Sequence, residues 1–178
     1  TNSGGVVDLL IDHAANEGGR LPAFSKATAE AVRRIVGPDM PIRNPMDCGQ
    51  AGFASQDTYM AVCAAVAADP RIDMVLFEAR MPNRDGERMP EPLRLFAAQT
   101  TLPVFAFNRM RYTVNEVGRA YQEASAIPHL QAMPDTVRAV KTLAFYAARV
   151  GRRIAPLPKP RGKAADTTGA ALEKALKS

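Results

Sequence analysis

The sequence predicts an α/β fold, a parallel sheet with helices on both of its faces. Three observations predict it. Segments of helical spacing alternate with short apolar runs, the order from which right-handed crossovers build a parallel sheet. One of those runs, Ile72-Asp73-Met74-Val75-Leu76-Phe77, is nearly continuous, as a strand covered on both faces requires. Capping residues, glycines and prolines punctuate the helical segments at their ends.

In chain order, two glycines open a helix from about Gly5 to Glu17. Asp8, Asp12 and Asn16 form its wet stripe, Val6, Leu9, Leu10 and Ala14 face inward, and His13 lies beside the apolar face as a packed residue. Gly18-Gly19 ends it by C-cap chemistry, and Leu21 to Phe24 is extended. Ser25 caps a second helix, Lys26 to Val36, with Ala27, Ala31, Val32 and Ile35 inside. Pro41 to Asp47 is extended, and its prolines suit a strand end and loop better than a strand centre. Gly49 to Gly52 reads as a flexible loop. Ser55 then opens a helix with Tyr59, Val62, Cys63 and Val66 at helical spacing, stopped at Asp69-Pro70.

The Ile72–Phe77 strand leads into a polar loop, Glu78 to Arg88, crowded with charges. Leu93, Phe96 and Ala97 mark a helix, and Leu102 to Phe107 the next strand. Thr113-x-x-Glu116 is a capping box that starts a helix to about Ser125. Ile127-Pro128 is a short last strand. Pro134 then stands at the first position of a final helix whose Val137, Val140, Leu143, Ala144 and Ala147 point inward. A fold of this kind calls for a further strand immediately before Thr1.

Composition narrows the function classes. The length suits one domain with a proper core, here residues 1–150, followed by a basic, Pro-rich linker at 151–178 with room for a short terminal helix. Arg152, Arg153, Lys159, Arg161, Lys163, Lys174 and Lys177 in that tail, against Asp166 and Glu173, carry the whole formal charge of +5. The folded body is neutral, so a nucleic-acid partner is not expected. Nor is a membrane one, since no stretch approaches the roughly 20 apolar residues of a span. With no signal peptide and only Cys48 and Cys63, the expected setting is cytoplasmic and reducing, and Thr1 is expected to be an internal or processed start.

Ligands of doubly covered parallel sheets bind at the carboxyl ends of the strands. The loops on that edge are 1–5, 44–54, 78–88, 107–113 and 128–134. Thr1-Asn2-Ser3-Gly4-Gly5 therefore delivers a helix N-terminus to the functional edge. Unpaired N–H groups and the positive dipole end make such a start an anion seat for a phosphate or carboxylate.

These residues carry a resemblance. Thr1-Asn2-Ser3-Gly4-Gly5 with its helix, Leu21-Pro22-x-Phe24-Ser25 and Asn44-Pro45-Met46-Asp47 resemble the flavodoxin-like CoA-ligase domain of NDP-forming acyl-CoA synthetases, including ADP-forming acetate–CoA ligases. They are also similar to the C-terminal domain of the succinyl-CoA synthetase β subunit. Ala68 to Leu76, Ala126-Ile127-Pro128 and the Pro134–Ala139 helix start extend the resemblance over residues 1–150. It implies a three-layer flavodoxin-like fold. It also implies an activity for the whole enzyme: an acid, ATP and CoA give acyl-CoA, ADP and phosphate through an acyl phosphate and a phosphohistidine.

The resemblance places Asn2 at the acyl substrate, Ser3, Gly4 and Gly5 at the phosphate-facing turn, and Asn44 and Asp47 in the accompanying site. Arg80 and Met81 fall in a substrate loop that is Gly-rich in relatives; Arg80 replaces a Gly there, and Asn108-Arg109-Met110 departs from a Gly pair. Arg80 or Arg109 pairing with a substrate carboxylate or phosphate is weighed against a plain solvated arginine. Neither His13 nor His129 matches the phosphohistidine, so no catalytic residue is expected in this chain, nor a metal site. CoA and ATP with Mg would be held mainly by sister CoA-binding, phosphohistidine and ATP-grasp domains, in a homo- or hetero-oligomer, and the isolated domain would be inactive. Two alternatives stand beside this: a non-catalytic regulatory domain of a protein acetyltransferase fusion, and a free-standing flavodoxin-like binder.

Overall fold

Three short strands carry the architecture. The computed structural model describes residues 1–153. In it Val75–Glu78 (β1), Val104–Asn108 (β2) and His129–Gln131 (β3) pair in the order β1-β2-β3, every pair parallel. Val75 lies beside Val104, Phe77 beside Ala106, and Phe107 beside Leu130. Parallel strands need crossovers, and helices supply them. The helices are Gly4–Asn16 (α1), Lys26–Val36 (α2), Gly49–Ala54 (α3), Gln56–Ala67 (α4), Glu91–Ala98 (α5), Glu116–Ser125 (α6) and Met133–Arg153 (α7).

Side chains alternate across a strand, so the sheet has two faces to bury. On one face Phe77 joins Val32 of α2, Tyr59, Val62 and Cys63 of α4, and Leu93 and Phe96 of α5. Its ring stands edge-on to Tyr59 at 6.2 Å and to Phe96 at 6.1 Å. On the other face Phe107 meets Val6 and Leu10 of α1 and Met133 and Val137 of α7. Helices therefore cover both faces, the three-layer flavodoxin-like arrangement expected. The fully buried large side chains among them, such as Phe77, Leu93 and Phe107, each stabilise the fold by about 1.5–3 kcal/mol relative to leaving them exposed.

Several local expectations hold. Gly18, at φ +67°, lets α1 end with Gly18 N–H on Ala15 O (3.0 Å) and Gly19 N–H on Ala14 O (2.7 Å). Ser25 and Ser55 cap α2 and α4, accepting from Thr28 N–H and Thr58 N–H at 3.1 Å each.

Others are corrected. In α1 the buried residue is Val7, not Leu9, which is half exposed: apart from Asp8 and Asp12 the first turns are apolar on several sides, and the sheet selects the face of Val6, Val7, Leu10 and Ala14. In α2, Thr28 is buried and Ala27 exposed. The expected loop at 49–52 is the helix α3, and Pro41–Asp47 forms no strand. The capping box at Thr113 is not used; Asn115 caps α6, accepting from Gly118 N–H at 2.9 Å, because it stands immediately before the first helical residue. The last strand begins at His129, after Pro128 rather than across it. Leu143, Ala144 and Ala147, expected to face inward, are exposed.

Thr1–Thr142 forms one compact unit, and the described residues from Leu143 on belong to a second. The described part of the second is the distal stretch of α7, where the Arg149 guanidinium sits 4.3 Å over the Phe145 ring. The linker expected at 151–178 falls almost wholly outside the described residues. No described helix is long and apolar enough to cross a membrane.

Candidate functional site

The start of α1 lies where β1 ends. The Thr1 hydroxyl donates to the Glu78 carboxylate, which also accepts from Arg109 just past β2. Two of the edge loops and the α1 start are thus joined by one carboxylate. Burial pushes Glu78 up, but the hydrogen bonds from Arg109 and Thr1, with the charges of that guanidinium and the amino group, outweigh it. The carboxyl is held below its usual range.

Ser3 is the N-cap in extended conformation, and its carbonyl accepts from Val6 N–H (3.1 Å) and Val7 N–H (3.2 Å). Its side chain makes no capping bond. Gly4 and Gly5 are exposed, and neither has a left-handed backbone. A Cβ on Gly5 would meet nothing within 4 Å; one on Gly4 would lie 3.6 Å from Asp47 Oδ2. Packing and conformation among the described residues therefore do not account for glycine at either position. Both keep backbone close to the surface at the positive end of a helix.

The remaining expected residues divide. Asp47 stands at this site, with Oδ1 accepting from Gly49 N–H at 2.8 Å and Oδ2 facing Gly4. Asn2 is packed beside α3: a Cβ on Gly52 would lie 2.6 Å from Asn2 Oδ1, and that oxygen is buried without a partner. Asn44 is tied away, donating to Pro22 O at 3.0 Å. Arg80 pairs with Glu87 within its own loop, and Glu87 also accepts from Asn83 N–H at 2.9 Å. Met81 is a core residue, with its N–H on the Tyr112 hydroxyl at 3.0 Å.

Sequence reasoning missed Thr1 and Glu78 as members of the site, and Gly52 as the wall behind Asn2. A Glu at the last position of a strand, followed by arginines, was the available signal for Glu78. Of the histidines, His129 is committed elsewhere. Its Nδ1 is 2.9 Å from Ile127 O, its ring stands edge-on to Tyr121, and desolvation holds its pKa below the usual value.

The fold that carries this site is shared with known structures. The chain matches a Pyrococcus horikoshii OT3 protein, PH0766, with TM-score 0.66 and 23% identity over 84% of this chain and 35% of that one. It matches the apo form of the dinucleotide-forming acetyl-coenzyme A synthetase 1 of Candidatus Korarchaeum cryptofilum with TM-score 0.61 and 20% identity, over 86% of this chain and 34% of that one. The fold is the one the resemblance implies. This chain spans about a third of the length of each of these proteins. No family model matches it, and no curated protein sequence does.

Proposed function

We propose that the chain is one domain of an NDP-forming acyl-CoA synthetase, helping to make acyl-CoA from a carboxylic acid, CoA and ATP. In this reading the amino end of α1 faces the phosphoryl group as it passes between an acyl phosphate and a phosphohistidine carried by a sister domain. The observation that carries the reading is the open helix start, where Gly5 leaves room that nothing among the described residues fills. Phosphoryl transfer is mostly positioning and charge stabilisation, and a preorganised helix N-terminus supplies both. The fold shared with an acetyl-CoA synthetase supports the same reading.

The site fits a phosphoryl oxygen at Gly5 better than at Gly4, where the Asp47 carboxylate stands nearby. Asn2 would contribute its amide to the acyl group, and Glu78 would keep Thr1 and Arg109 in place around it. CoA, ATP and its Mg would be bound by CoA-binding, phosphohistidine and ATP-grasp domains of the same or another subunit, in the cytoplasm. A second reading, a regulatory domain fused to a protein acetyltransferase, gains support from one observation: Arg80 and Arg109 are both already ion-paired within the chain.

The test is CoA-dependent ADP release by the parent polypeptide or complex that carries this domain, over short, dicarboxylic and aromatic acids. The 178-residue chain alone is the control. Gly5→Val and Asn2→Ala should abolish or strongly lower activity in a parent that remains folded, and the isolated chain should be inert. No ADP release with any acid from a folded parent moves the reading to the regulatory domain.

A further inference from the structure

The loop after β2 is bonded to the segments on both sides of it, and through two residues. Arg109 pairs with Glu78 at the end of β1, and its carbonyl accepts from Met133 N–H at the start of α7 (3.2 Å). A little further on, the Tyr112 hydroxyl accepts from Met81 N–H at 3.0 Å, and Tyr112 N–H donates to Gln131 Oε1 at the end of β3 (2.8 Å). The carboxyl ends of β1, β2 and β3 are thereby joined, with the middle loop as the brace.

What the brace holds is the turn at Ala79–Met81. Ala79 N–H donates to Phe107 O at 2.9 Å, just past the last β1–β2 pair, and the bond from Met81 follows. Ala79 and Met81 are buried, and Arg80 between them is exposed beside Glu87. The Arg80 backbone is thus fixed from either side while its side chain stands at the surface. A buried N–H left without an acceptor costs more than a made bond returns, so Met81 needs its partner. The Tyr112 ring packs against the Phe77 core and carries that acceptor on a stiff side chain. Asn115 Nδ2 also reaches this loop, at Asn83 O (2.9 Å), but among the described residues Asn115 has no bond to the end of β3.

We propose that Tyr112 is a positioning residue: bonded to Met81 on one side and Gln131 on the other, it fixes the turn that presents Arg80 at the carboxyl edge of the sheet. The coupling of the three segments does not rest on the proposed activity. Its use does: in the ligase reading the loop of Arg80 and Met81 faces the acid, and Tyr112 acts on the acid through Arg80.

The coupling is tested in the full 178-residue chain by amide hydrogen exchange at Met81, with Ala106 N–H in β2 as the core reference. Tyr112→Phe keeps the ring and should speed Met81 exchange by more than about tenfold over any change at Ala106. Gln131→Leu, at the other end of the brace, should speed it by more than about threefold, and should add nothing in a chain that already carries Tyr112→Phe. Met81 exchange that ignores Gln131→Leu, or two effects that simply add, overturns the coupling. The use is tested by CoA-dependent ADP release against acid concentration in the parent polypeptide or complex. Tyr112→Phe should raise the KM for the acid by more than about fivefold with kcat within about twofold, whereas a smaller folded fraction would lower kcat and leave KM alone. In a parent carrying Arg80→Ala the same change should move KM by less than about twofold. An unmoved KM, or an equal rise with and without Arg80, overturns the positioning role. A folded, unaltered parent that releases no ADP with any acid overturns the ligase reading and this use of Tyr112 with it, and the coupling then stands or falls on the exchange alone.

Discussion

Arg109 is held by Glu78, which sits half-buried at the end of β1 and ties the Thr1 hydroxyl to the same spot. Arg109 is the larger of the influences that hold the Glu78 carboxyl down against its burial. Arg109→Met should therefore raise the Glu78 pKa, read as an upward shift of its side-chain carbonyl titration by NMR. Because Arg109 is about half exposed, the stability change at neutral pH should stay below about 1 kcal/mol. An unmoved Glu78 titration would show that Thr1 and the amino group alone hold it.

Two glycines, Gly52 in α3 and Gly5 in α1, should answer oppositely to alanine. At Gly52 a Cβ would lie 2.5 Å from Cys48 Cβ and 2.6 Å from Asn2 Oδ1. Helix propensity favours Ala by about 1 kcal/mol, but overpacking costs about 1–3 kcal/mol, and neither neighbour is a flexible chain end. Gly52→Ala should destabilise on chemical denaturation. Gly5→Ala meets open space and should leave stability within about 1 kcal/mol of the parent, or raise it. A Gly52→Ala protein as stable as the parent would mean that Asn2 turns aside freely.

The cap of α6 gives a third contrast. Asn115→Ala should cost about 1 kcal/mol of stability, since it frees Gly118 N–H at a helix end. Thr113→Ala should cost less than about 0.5 kcal/mol, because Thr113 is exposed and caps nothing. Urea denaturation of the two variants reads the difference, and equal losses would place the helix start two residues earlier.

That contrast shows what the sequence made legible. Caps that stand alone before a helical period, Ser25 and Ser55, were readable because one local bond decides them. At α6 two local signals competed, and the spacing of the box pointed to Thr113 while the first helical residue chose Asn115. The strands β1 and β2 were readable from unbroken apolar runs, and the order of elements gave the three layers. The inner face of α1 was not, because Val6 to Ile11 is apolar on nearly every side and only the sheet decides. In the site, the Gly4-Gly5 helix start was legible as a local motif. The fates of the arginines were not: Arg109 finds Glu78 across 31 residues, and such pairings follow from topology, not from neighbours in sequence.

Asp69 should set the acid limit of the fold. Its buried carboxylate accepts from Ser25 N–H at 2.6 Å and Arg71 N–H at 3.0 Å, joining the start of α2 to the turn that enters β1. Desolvation acts to raise its pKa, but the hydrogen bonds from Arg71, Thr28 and Ser25 and the Arg71 charge prevail, and it lies below the usual carboxylate value. A group whose folded pKa is depressed contributes its full stability above the unfolded value, about 3.9 for Asp, and loses it as pH falls through the folded value. Melting temperature against pH should therefore drop steeply below about pH 4. Asp69→Asn should lower the melting temperature at neutral pH, where the ionised acceptor is lost, and flatten that acid limb. If the limb keeps its slope in Asp69→Asn, the acid sensitivity belongs to Glu78 and Asp135, whose carboxyls are also held low by arginines.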